Sequence, residues 1–99
     1  MNSYYCYIGT YQHRNSYPVT WLSDLFYDKE KCFKDILVDI QLELAGYMEH
    51  DETITVDQFI DDRCDVEELC GYKTITFDDN DGSIYQWKMA LATHAHQDG

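Results

Sequence analysis

The chain has 99 residues, 44% of them hydrophobic and 15% aromatic, so it is long enough and rich enough in bulky apolar side chains to build one cored domain. Nineteen Asp and Glu against seven Lys and Arg give a formal net charge of −12, which disfavours direct nucleic-acid binding and points to a cationic partner. No apolar run approaches the roughly 20 residues needed to cross a bilayer, so the expectation is a protein of the host-cell cytoplasm with no membrane contact.

The first predicted element is a strand, Ser3-Tyr4-Tyr5-Cys6-Tyr7-Ile8, rich in aromatic and β-branched residues and stopped by Gly9. Residues 9–22 read as a loop through Gln12, His13, Arg14, Asn15, Ser16 and Pro18, with a short extended piece at Val19-Thr20-Trp21-Leu22.

Asp28 is a good N-cap, Glu30 suits the first turn, and Phe33, Ile36, Leu37, Ile40 and Leu44 recur at helical spacing until Gly46, which predicts the main helix. Its opposite side is expected to carry Asp35, Asp39 and Glu43 as a stripe, about 6 Å apart along the axis. Two short acidic helices are predicted next. Thr55 with Gln58 caps the first ahead of Phe59 and Ile60, and Asp65 with Glu68 caps the second ahead of Leu69 and Gly71. The segment from Glu49 to Glu68 holds Glu49, Asp51, Glu52, Asp57, Asp61, Asp62, Asp65, Glu67 and Glu68 against one cation, Arg63, and is the densest negative stretch.

In the last third, residues 73–77 and 83–89 flank Asp78-Asp79-Asn80-Asp81-Gly82 and predict a β-hairpin. One of its faces would bury Ile75, Phe77, Tyr85, Trp87 and Met89. Residues 90–99, with His94 and His96, read as a short or frayed end. Together these elements predict an α+β fold: a main helix on a small antiparallel sheet with a C-terminal hairpin, plus the two short acidic helices.

Chemistry is sparse. The loop 78–82 lacks the alternate ligands and closing Glu of a calcium-binding EF-hand, since Phe77 and Lys88 stand where the first and last ligands should be. Cys64, Cys70, His94 and His96 are of zinc-ligand types, but five residues separate the cysteines and one separates the histidines. No phosphate loop, nucleophile elbow or paired-histidine helix is present. Cys6, Cys32, Cys64 and Cys70 read as reduced thiols, the first two in the core. No catalytic residue, metal or cofactor is expected, and a small hydrolase or metal-dependent enzyme is the third class in order of preference.

Tyr7-Ile8-Gly9-Thr10-Tyr11, continued by Asn15, Trp21-Leu22-Ser23-Asp24-Leu25 and an acidic helix, resembles the opening of the ArdA-type antirestriction proteins, plasmid- and transposon-borne DNA mimics. Ser16, Tyr17, Pro18, Val19 and Thr20 stand where that family has glycines. Gly71-Tyr72-Lys73 with Thr76-Phe77-Asp78-Asp79-Asn80 resembles a segment of a family of small acidic anti-CRISPR proteins, which block the DNA-binding surface of a Cascade-type complex. Both resemblances imply a non-enzymatic phage or plasmid counter-defence inhibitor that occupies a restriction or CRISPR effector's cationic groove. Its docking residues are expected to be Asp35, Asp39, Glu43 and the 49–68 carboxylates, with Tyr11, Tyr17 or Tyr47 as anchors. The alternative is a small acidic adaptor that binds a basic protein through an apolar face, and a homodimer is compatible with either reading.

Overall fold

The computed structural model describes residues 3–48 and 54–93. The mixed α+β class is observed, built on a five-stranded antiparallel sheet. In chain order the strands are β1 (Ser3–His13), β2 (Val19–Leu22), β3 (Cys64–Leu69), β4 (Tyr72–Asp78) and β5 (Ser83–Thr93). Their spatial order is β2-β1-β5-β4-β3, so β2 and β3 are the two edges. Three helices, α1 (Lys29–Glu43), α2 (Ala45–Met48) and α3 (Val56–Arg63), lie between β2 and β3 in sequence.

Gly9 does not stop β1. The strand runs eleven residues, pairing with β5 from Ser3↔Thr93 to His13↔Ser83 and with β2 from Ile8↔Leu22 to Tyr11↔Val19. Inside a central strand Gly has a different use, which is to let another group approach the backbone closely. Here that group is the Trp21 indole, into which a Cβ on Gly9 would project.

α1 begins where the Asp28 carboxylate accepts the Lys31 backbone N–H at 2.9 Å. It ends at Leu44, whose N–H donates to the Ile40 carbonyl. Cys32, Ile36, Ile40 and Leu44, spaced by four, form its fully buried ridge. That ridge lies with Tyr7, Trp87, Met89, Ile75 and Phe77 of the sheet and with Phe59 and Ile60 of α3 in one apolar core. Each large side chain removed from water there contributes about 1.5–3 kcal/mol before its ordering entropy is counted. The sheet's other face presents Thr10, Thr20, Thr74, Thr76, Gln86 and Ile84, the alternate residues of the same strands.

Residues 64–69, expected as a capped helix, are the edge strand β3 instead. Cys64 pairs with Phe77 and Val66 with Ile75, so extending the ladder lets Cys64 pack against the core. The turn explains the outcome: Cys70 and Gly71 have φ of 55° and 83°, both positive as a two-residue type I′ hairpin loop requires. α3, in contrast, carries a full capping box, with Gln58 N–H donating to Thr55 Oγ1 at 3.2 Å and Thr55 N–H to Gln58 Oε1 at 3.3 Å.

The 79–82 connection between β4 and β5 is organised by Asp79. Its Oδ1 accepts the N–H groups of Asp81 (2.7 Å) and Ser83 (3.0 Å), and its Oδ2 accepts the Tyr47 hydroxyl at 2.9 Å. The Ser83 and Asp81 N–H groups hold this carboxyl below its ordinary pKa. β5 continues through Thr93, beyond the hairpin arm expected from sequence, and His94 and His96 lie outside the described residues.

Candidate functional site

The main helix does not present an outward acidic stripe. Asp35 and Asp39 are half-buried, and only Glu43 of the expected three is exposed. Asp39 Oδ2 accepts two indole N–H groups, from Trp21 at 2.9 Å and from Trp87 at 2.8 Å. Asp35 Oδ2 accepts the Tyr7 hydroxyl at 3.1 Å. Each residue stands one position before a ridge residue, Ile36 or Ile40, at the border between helix and sheet. Buried indole and phenol groups need a polar partner, and these carboxylates supply it. Burial, then Asp39 and Asp35, push the Tyr7 hydroxyl pKa up. The exposed residues of α1 are Glu30, Lys31, Lys34, Val38, Gln41, Leu42 and Glu43.

Gly9→Ala tests this arrangement, because a methyl group there must displace the Trp21 ring and lengthen its bond to Asp39. The expected cost is about 1–3 kcal/mol in urea unfolding, with a moved Trp21 indole N–H resonance. A loss under about 0.5 kcal/mol with that resonance unmoved would contradict the packing described.

Exposed carboxylates occur in several places, among them Asp24, Asp28, Glu30, Glu43, Asp78 and Asp81, and are densest along the chain in α3 and β3. Asp57, Asp61 and Asp62 on α3 and Asp65, Glu67 and Glu68 on β3 are all solvent-exposed. α3 runs directly into β3, so these six are contiguous in the chain along the β3 border of the sheet, although they do not all share one face. On β3, Asp65 and Glu67 stand opposite Thr76 and Thr74 on one sheet face, and Glu68 stands opposite Lys73 on the other. Glu49, Asp51 and Glu52 lie outside the described residues.

The neighbouring cations are directed at aromatic rings. The Arg63 guanidinium lies 5.6 Å from the centroids of both Phe59 and Phe77, and Lys73 Nζ lies 4.2 Å from that of Phe33. Lys29 Nζ lies 4.5 Å from the Tyr72 centroid. Six carboxylates against Arg63 and Lys73 leave the segment net negative, attractive to a cationic surface and repulsive to a second copy of itself.

Of the expected aromatic anchors, Tyr17 is 94% exposed, but Tyr11 and Tyr47 are half-buried and structural. Tyr11 packs on Tyr85 with ring centroids 4.6 Å apart, and Tyr47 packs on Phe77 at 4.9 Å. Sequence reading passed over Leu69, 77% exposed at the end of β3 beside Glu67 and Glu68. The sequence places it only behind the Asp65–Glu68 cap, and it is the strand geometry of β3 that leaves it exposed.

Burial pushes the Cys32 and Cys64 thiols up to about 11 and raises Cys6, which leaves them protonated and poorly nucleophilic near neutral pH. All four cysteines are unpaired with one another. His13 Nδ1 lies 2.7 Å from the buried Ser83 Oγ, a polar closure at the end of the β1–β5 ladder. Among the described residues no group of three or more His, Cys, Asp or Glu is arranged to hold a metal ion, and no helix is long and apolar enough to cross a membrane. Comparison with protein-family models, curated proteins and solved structures finds no match to this chain.

Proposed function

We propose that the protein is a non-enzymatic counter-defence inhibitor whose α3–β3 edge docks in the nucleic-acid-binding groove of a restriction or CRISPR effector. One observation carries the reading: six exposed carboxylates stand on a helix and a strand locked together, while Arg63 and Lys73 are drawn to rings beneath them. Carboxylates on rigid elements offer a Lys/Arg groove repeated negative charge without the ordering cost of a flexible acidic tail. Leu69 and Val66, exposed on the same strand, add apolar contact, because charge alone governs encounter rate more than residence time. The resemblance of residues 7–25 to antirestriction proteins and of residues 71–80 to anti-CRISPR proteins agrees with this class of target.

The test is competition. Purified type I restriction enzyme and Cascade-type complex are each loaded with labelled duplex DNA and titrated with the protein. Displacement of DNA from one of them, weakening steeply between about 50 and 200 mM salt, is the expected result. If DNA and protein occupy every effector together, or association ignores salt, mimicry is excluded and an adaptor role takes its place.

A further inference from the structure

On a chain of net charge −12, three of the five lysines line a single cleft. Lys29 and Lys34 of α1 and Lys73 of β4 surround about 390 Å³ of space floored by Phe33, Leu37 and Met89. That volume lies within the range of small-molecule sites, and the mixture of an apolar floor with a few convergent polar groups is their usual chemistry.

The cations are positioned by the fold. Lys73 Nζ stands 4.2 Å over the Phe33 ring, which fixes a charge against the apolar floor. Lys29 Nζ is held between the Tyr72 ring and the Cys70 carbonyl oxygen, to which it donates at 3.4 Å. Gly71, whose positive φ the hairpin turn requires, lies beside that ammonium. Glu30 and Asp57 also line the cleft, both exposed, so three cations face two carboxylates, and of the cations Lys29 and Lys73 are half-buried while Lys34 is exposed.

We infer that this cleft binds a small organic anion with an apolar body, its charged head between Lys29 and Lys73 and its body on Phe33, Leu37 and Met89. The site borders the α3–β3 edge through Asp57 and Lys73, but its ligand and its test are independent of the function proposed for that edge.

4-Phenylbutyrate supplies the anionic head and apolar body, 4-phenylbutan-1-ol the body without the charge, and butyrate the charge without the ring. Titration of the ¹⁵N-labelled protein with 4-phenylbutyrate is expected to move the amide resonances of Phe33, Leu37, Lys73 and Met89 in a saturable way. The alcohol and butyrate should bind roughly tenfold more weakly or not at all. Lys73→Gln, with its folded spectrum retained, should weaken 4-phenylbutyrate by about tenfold. Equal binding of acid and alcohol, shifts centred on other residues, or no saturable shift at millimolar ligand would each overturn the site. The wild-type comparison decides it even if Lys73→Gln does not fold.

Discussion

Trp87→Ala is expected to lower the unfolding free energy by about 3–5 kcal/mol, a large part of what a domain of this size possesses. Trp87 is fully buried on β5 between Gly9 of β1 and Ile75 of β4, the cross-strand partners in its register. Its ring stacks on Tyr85 at 6.0 Å and meets Trp21 edge-on at 6.4 Å. Removing it opens a cavity at the centre of the sheet and also takes one of the two indole donors from the Asp39 carboxylate. Trp87→Phe separates the two effects, because it keeps most of the volume and loses the N–H. That substitution should cost about 1–3 kcal/mol. Urea unfolding of both variants is the measurement, and a loss under about 1 kcal/mol for Trp87→Ala would show that the helix does not pack on the sheet as described.

The parts of this fold legible in the sequence are those whose signals are local. Asp28 followed by apolar residues at helical spacing identifies α1, and Thr55 with Gln58 identifies α3, because a cap and its helix lie within a few residues of each other. Residues 64–69 were misread for the same reason. Asp65 and Glu68 imitate a capping box, and what decides for a strand is the distant pairing with β4, together with positive φ at Cys70, a residue that carries no turn signal of its own. Gly9 likewise reads as a stop until the Trp21 indole is seen lying against it.

The candidate site divides along the same line. Exposure of Asp57, Asp61 and Asp62 follows from the apolar positions of a short amphipathic helix, so that part is visible in advance. The inward turn of Asp35 and Asp39 is not visible. Helical spacing puts them beside the apolar ridge, and whether such a flank faces solvent depends on which side chains the sheet brings opposite. Here those are Tyr7, Trp21 and Trp87, drawn from the two N-terminal strands and from β5 at the other end of the chain. Long-range placement also governs the lysine cleft, whose cations come from residues 29, 34 and 73.

The proposed docking requires the α3–β3 edge to carry the attraction as a local pattern, beyond the effect of total charge. Two quadruple variants separate these. Asp61→Lys, Asp62→Lys, Glu67→Lys and Glu68→Lys reverse the edge. Asp24→Lys, Glu30→Lys, Glu43→Lys and Asp78→Lys change the net charge equally at exposed positions off it. Affinity for the effector identified by DNA competition is measured for both at low salt. The edge variant is expected to bind at least about 100-fold more weakly, with a flattened salt dependence, and the control to stay within about tenfold of wild type. Equal losses in the two variants, or none in the edge variant, would contradict the account.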